Sequence, residues 1–199
     1  MSRFPITDTY DLFDSFNCSA ATLQINPSQQ INYINLWLDY RPITNDQINA
    51  HESIENIMAG EWDGRAKQLQ TILSNMKPLS EQKTTPLIVS GDFNSSSHLD
   101  WGYDTKDDSE HKGYVIEWPT SKLMEKANFI DSYREIHPDV KKYPCLTWST
   151  MAKNELQYRI DFIYYKGSNI KAIKSEMIDK HPVRFPSDHA AVVTTFNLK

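Results

Sequence analysis

Pro86-Leu87-Ile88-Val89-Ser90-Gly91-Asp92-Phe93-Asn94 is the stretch on which the reading of this chain turns. A short apolar run closed by glycine is the pattern of a buried strand ending in a loop. The segment just beyond the strand is polar. Asp92 and Asn94 lie two apart, so in extended backbone their side chains point the same way and an acid shares one pocket with an amide. The carboxylate can take a proton from an attacking water, and the amide can donate to a phosphoryl oxygen that gains charge. A turn cap explains the same two residues, since Asp and Asn favour such positions.

Upstream, Asn32 to Asp39 alternates, with Tyr33, Asn35, Trp37 and Asp39 on one face and Ile34, Leu36 and Leu38 on the other. This is a strand pattern. Cys18 to Ile25 is a second strand, and Pro27-Ser28-Gln29-Gln30 between them reads as a hairpin connection. From Asp46 to Met76, Ile54, Ile57, Met58, Leu69, Ile72, Leu73 and Met76 recur at helical spacing, interrupted near Gly60 and Gly64, which predicts one or two helices. Leu99 to Lys112 is acidic and loop-like, with a solvated loop as the simplest expectation. Pro119 to Ala127 reads as a short helix with proline in its first turn. Pro144 to Trp148, Tyr158 to Tyr165, Ile170 to Ile178 and Ala190 to Leu198 read as strands. The predicted class is α/β: a layered sandwich of two mainly antiparallel sheets flanked by helices, in one domain over residues 1–199.

Two further polar clusters lie against strands. In Arg159-Ile160-Asp161-Phe162-Ile163 the acid sits among apolar neighbours and needs a partner, and Arg159 on the same face is the obvious one. In Pro186-Ser187-Asp188-His189 an acid and an imidazole stand at the mouth of the final strand. Such a pair supplies a hard oxygen ligand for Mg²⁺ and a ring able to touch phosphate or orient water. A turn cap for Asp188 and a surface histidine for His189 are the ordinary alternatives.

Composition bounds the rest. Five Trp, 10 Tyr and 8 Phe in 199 residues supply ample apolar area, which excludes disorder. A net charge of −5 mildly repels a polyanion, so any nucleic-acid site must be local. Cys18 and Cys145 lack the spacing of a zinc or redox motif and are expected to be buried. No apolar run reaches the length of a transmembrane helix, and Arg3, Asp8 and Asp11 stand where a signal peptide has its apolar core.

The order Gly-Asp-Phe-Asn, Arg-Ile-Asp-Phe-Ile, Ser-Asp-His, with 69 residues from Asp92 to Asp161 and 27 from Asp161 to Asp188, resembles the endonuclease/exonuclease/phosphatase superfamily with its DNase I-like fold. Similarity continues in Ser95 to Trp101, Trp118 to Ser121, Asp131 to Pro138 and Leu146-Thr147-Trp148, and runs from about Ser2 to the C-terminus. The resemblance implies a metal-dependent phosphoester hydrolase, a phosphodiesterase or nuclease or else a phosphatase, with Mg²⁺ as cofactor and Mn²⁺ as its alternative. It implies that Asp92 positions or deprotonates water, Asn94 holds the scissile phosphate, Asp188 belongs to the metal site, Asp161 orients His189, and His189 contacts the phosphate. His98 is the matching substrate-side residue. The expected partner is a phosphate ester, with nucleic acid and phospholipid head groups among the candidates.

Two departures qualify that expectation. Family members begin with a strand carrying Asn and later a metal-binding Glu, and the resemblance places both before the segment matched by Ser2 to Ile6, so the chain is expected to cover the C-terminal two-thirds of the domain. Trp37 stands where many members have a His that acts as general acid, and indole transfers no proton at neutral pH. His51 and His98 are the candidates for that role, and a catalytically impaired phosphate-binding domain is the alternative function.

Overall fold

Strand β4 (Leu87–Asp92) runs through the centre of the principal sheet in a computed structural model that describes residues 1–152 and 154–199. Its six strands, β1 (Ile6–Tyr10), β2 (Cys18–Asn26), β3 (Gln29–Trp37), β4, β6 (Asp161–Lys166) and β5 (Ile130–Asp131), lie in the order β1-β2-β3-β4-β6-β5. Pairing is antiparallel except between β3 and β4, which are parallel. That exception follows from the helices between them, since a parallel return needs a long crossover. A second sheet pairs β7 (Ile170–Ile178) with β8 (Ala191–Leu198).

The helices are α1 (Thr44–Asn49), α2 (Ile54–Glu61), α3 (Lys67–Asn75), α4 (Lys77–Ser80), α5 (Pro119–Lys126) and α6 (Ser132–Ile136). A π-helical turn, Trp62–Ala66, joins α2 to α3, so the expected helical stretch forms one nearly continuous rod after a short separate α1. Leu69, Ile72 and Met76 of that rod pack with Met124 of α5 against Ile34, Leu36 and Val89. On the opposite face of the sheet, Ile31, Ile88 and Tyr165 meet Ile170 and Ala172, with Phe196 and Leu198 beside them. Helices thus cover one face of the large sheet and the small sheet covers the other. Among the described residues no helix is long and apolar enough to cross a membrane.

Gly91 shows how tightly the strands approach. It has φ of +143°, and a Cβ there would sit 1.9 Å from the carbonyl oxygen of Leu36, so no other residue fits. The expected hairpin forms, with β2 and β3 paired antiparallel around Pro27-Ser28, and both cysteines are buried.

Three expectations are corrected. Pro144 to Trp148 is not a strand; Trp148 makes isolated bridges to Tyr158 and His189, because Thr147 and its neighbours bond to loop residues on both sides instead of to a ladder. The acidic segment is loop-like but not solvated throughout: Asp100, Trp101, Thr105 and His111 are buried. Arg159 does not pair with Asp161. Its guanidinium holds both oxygens of Asp100, at 2.8 and 3.0 Å, and Asp131 at 2.7 Å. Arg134 also binds Asp100 and donates to the carbonyls of His137, Tyr143 and Pro144. Burial would push the Asp100 carboxyl up, but Arg159 and Arg134 hold it below its ordinary range.

This network ties the acidic loop, the start of α6 and the approach to β6. Arg159→Met strips two buried carboxylates of a cation, and unfolding in urea should show a loss of about 3–5 kcal/mol. An unchanged midpoint would show that the network contributes nothing to stability.

Candidate active site

The register of the central strands puts three side chains at one end of the sheet. Trp37 is opposite Asp92 across β3 and β4, and Asp92 is opposite Asp161 across β4 and β6. Two main-chain bonds lock this end: Leu38 N–H donates to Asp92 O at 3.0 Å and Phe93 N–H to Ile160 O at 2.9 Å. The segment 147–150 brings in His189. Thr147 Oγ1 accepts from the N–H groups of Ile160 and Asp161, and its carbonyl accepts from Ala190 N–H at 2.8 Å. Thr150 donates through N–H and hydroxyl to the carbonyls of Asp188 and Ser187. Strand β6 and the residues before β8 are stitched together in this way. The His189 ring then lies with Nδ1 2.9 Å from Asp161 Oδ2, edge to face with Trp148 at a centroid distance of 4.8 Å.

Asp92, Asp161 and His189 present one ligand atom each within 4.8 Å of one another. Asp92 and His189, with Asn94, line a cavity of about 710 Å³ whose wall also includes Trp37, Tyr40, Ile43, Trp148 and Leu156. Burial and then the charge of Asp161 drive the Asp92 carboxyl up to about 7, against the Asn94 N–H, His189 and the Trp37 side chain, which all favour the carboxylate. His189 moves up from its ordinary value: its bond to Asp161 favours the imidazolium, burial opposes it, and the charges of Asp161, Asp92 and Asp188 add to it. A base near neutrality and an imidazolium held by a carboxylate are what acid–base work at phosphorus requires.

The donor set fits a divalent cation. Asp161 raises Asp92 by like-charge crowding, and a cation between two carboxylates relieves it. Mg²⁺ takes few carboxylates and fills its sphere with water and substrate oxygens, while Mn²⁺ also accepts imidazole.

The structure gathers Asp92, Asn94, Asp161 and His189 at the cleft, and places the remaining expected residues otherwise. Asp188 is exposed and outside the tight cluster, acting on His189 only through its charge. Asn94 Nδ2 donates to Leu38 O at 2.9 Å and to Asp92 Oδ2 at 3.1 Å. Both amide hydrogens are then engaged, so Asn94 braces Asp92 in this geometry, whereas a phosphate contact was expected. His98 is not brought to the cleft. Its Nδ1 lies 2.8 Å from Ser121 Oγ and its Nε2 3.5 Å from Glu125, in a separate cavity that also touches Phe129 and Tyr164. His51 is exposed and not among the cleft-lining residues.

Sequence reasoning missed Thr147, whose hydroxyl and carbonyl align two strands, and the buried Glu61 and Arg65 beneath Asn94. For Thr147 the available signal was its place within the resemblance segment Leu146-Thr147-Trp148, to which no role was assigned. For Glu61 and Arg65 it was two opposite charges four apart on a helix with an apolar face.

A helix-covered sheet backed by a second sheet, with acids and an imidazole gathered at the strand ends, defines a DNase I-like layered domain. The profile of the Endonuclease/Exonuclease/phosphatase family matches residues 1–189, and the chain belongs to that family. An uncharacterized protein of Caenorhabditis elegans is 36% identical over 83% of this chain and 60% of its own length. Nocturnin of Rattus norvegicus is 26% identical over 67% of this chain and 29% of its own length. The chain therefore spans 60% or less of these curated relatives. Among solved structures, the human Nocturnin catalytic domain with bound sulfate superposes with a TM-score of 0.61 at 17% identity, covering 99% of this chain and 61% of that one. A mannosyl-6-phosphatase of Bacteroides thetaiotaomicron gives 0.61 at 17% identity over 97% of this chain and 67% of that one. TDP2 of D. rerio with a single-strand DNA product gives 0.54 at 16% over 91% and 61%.

Two measurements check the electrostatics. Asp161→Asn removes the main cause of the His189 shift, so an NMR titration of that imidazole should move toward the ordinary value of about 6.5; an unmoved midpoint would refute the pairing. Asp92 binds its proton more tightly folded than unfolded, so the parent loses stability as pH climbs from the ordinary value of about 4 to about 7 and does not regain it above. Asp92→Asn abolishes that loss, and its Tm should gain on the parent between about pH 5 and about pH 8.

Proposed function

We propose that this chain is a divalent-metal-dependent phosphoester hydrolase domain, with residues 1–199 folding as one unit. The observation that carries the reading is the convergence of Asp92, Asp161 and His189 within 4.8 Å at the strand ends of a family fold. Asp92 and Asp161 would hold Mg²⁺, or Mn²⁺ in its place. The ion supplies charge neutralisation at the phosphoryl oxygens. The chain's own residues do the rest. Asp92 accepts the proton of the attacking water at a carboxylate oxygen. Asn94 donates to both Asp92 oxygens, through N–H at 2.8 Å and Nδ2, and fixes the direction of the remaining lone pairs. Asp161 holds Nδ1 of His189, leaving Nε2–H to donate to the phosphoryl oxygen that gains charge.

The substrate is a phosphate ester. Support comes from relatives whose structures hold a sulfate anion or a single-strand DNA product and from a relative named as a sugar phosphatase. Lys112 is the one Lys or Arg among the described residues lining the cavity, against Asp46 and Glu155, which favours a compact ester over a long polyanion or a phospholipid surface.

A second reading rests on Trp37. It stands opposite Asp92 across β3 and β4, in the place where many members carry a proton-transferring His, which favours a domain that binds phosphate without turning it over.

Hydrolysis of p-nitrophenyl phosphate and bis(p-nitrophenyl) phosphate with Mg²⁺ or Mn²⁺ separates the two. The hydrolase reading expects turnover lost on EDTA treatment and reduced on the order of 10²- to 10⁴-fold in Asp92→Ala. Calorimetric phosphate binding with no turnover under any metal would select the second reading.

A further inference from the structure

Glu61 and Arg65 are each only 1% exposed, yet neither belongs to the reacting cluster. Arg65 Nε donates to the carbonyl oxygen of Asn94 at 2.8 Å and lies 3.1 Å from Glu61 Oε2. The two terminal nitrogens of the same guanidinium converge on the carbonyl of Pro42, one of them also reaching Thr44 Oγ1 at 3.4 Å. Glu61 is in turn bound by Thr120 at 3.1 Å and by Ser95. Burial pushes the Glu61 carboxyl up, and Arg65, Ser95 and Thr120 oppose that push. One planar cation therefore ties three things: the exit of β4, the cavity wall that follows β3, and the helix rod.

The place where it ties β4 matters. Asn94 has φ of +48°, a left-handed conformation that asparagine adopts more readily than most non-glycine residues and that its hydrogen bonds here favour. That conformation lets both its main-chain N–H and its side-chain amide reach Asp92. The carbonyl on the other side of the same residue is the one Arg65 grips. Arg65 itself sits in the π-helical turn, a local widening that often marks functional positions in helices.

We infer that Arg65, backed by Glu61, is a positioning residue: it holds Asn94 left-handed so that Asp92 keeps its orientation, and it keeps the cavity wall at Pro42 and Thr44 in register with that acid. The role rests on the hydrolase reading only for its consequence in catalysis; the placement of Asn94 stands apart from it. A lysine cannot replace it, since an ammonium balances Glu61 but lacks the fork that spans two carbonyls.

Three measurements on the full chain test this. In the parent, NMR should show the Arg65 Nε–H exchanging as slowly as core amides, and rapid exchange there would overturn the inference without any variant. In Arg65→Lys, the Asn94 amide should exchange about tenfold faster while the amides of Ile34 and Val89 are unchanged. A folded variant with unchanged Asn94 exchange would overturn it. With a hydrolysable ester, kcat should fall on the order of 10- to 100-fold with KM within about twofold, because misplacement of the base affects the transition state more than binding; an equal kcat would overturn the catalytic consequence. A parent without turnover would defeat the hydrolase reading, and the exchange data would still decide whether Arg65 sets Asn94.

Discussion

Two carboxylates face each other across the ends of β4 and β6, and much of the surrounding structure is arranged to tolerate that. Like charges directly opposite on neighbouring strands are destabilising, and Asp92 and Asp161 occupy such a pair of positions. The ladder itself forces the approach, since Phe93 N–H and Ile160 O are bonded one step away. Relief comes from every side. His189 takes Asp161 and the Asn94 amides take Asp92, while burial and then the remaining repulsion from Asp161 still push the Asp92 carboxyl up. A site that is electrostatically uncomfortable without a cation is well suited to receive one.

Arginine recurs as the device that makes this arrangement rigid. Arg159 and Arg65 are both buried, and both spread a planar fork over groups from different parts of the chain: Arg159 over Asp100 and Asp131, Arg65 over Asn94, Pro42 and Thr44. Buried ion pairs contribute little net stability compared with apolar packing, because desolvation offsets most of the attraction. Their use here is geometric. The acidic loop after the first motif and the loop that carries Asn94 are both held by side chains whose hydrogen-bonding directions admit few alternatives.

The legible part of the fold was the part written in local periodicity. Alternation along Asn32 to Leu38 and the helical spacing of Leu69, Ile72 and Met76 reappear as the two sides of one core. Strand β1 gave no such signal: four of its five residues are exposed, so it has no apolar face to betray it. The acidic loop misled for the opposite reason. Its charges look solvent-bound in one dimension, and for Asp100, the one buried acid among them, only Arg134 and Arg159, some 34 and 59 positions away, make burial tolerable.

For the site, residue identity already supplied the chemical groups, because Asp92, Asn94, Asp161 and His189 sit in short motifs beside strands. It also determined that Trp37 could not do the work of a histidine, a matter of functional groups alone. Which groups meet was settled by the packing of distant segments. It sent Asp161 to His189 and not to Arg159, turned the Asn94 amide onto Asp92, placed His98 in another cavity, and left Asp188 at the rim. Those choices depend on strand register and on bonds between residues far apart in the chain, and neither can be expressed by the spacing of residues along a single polymer.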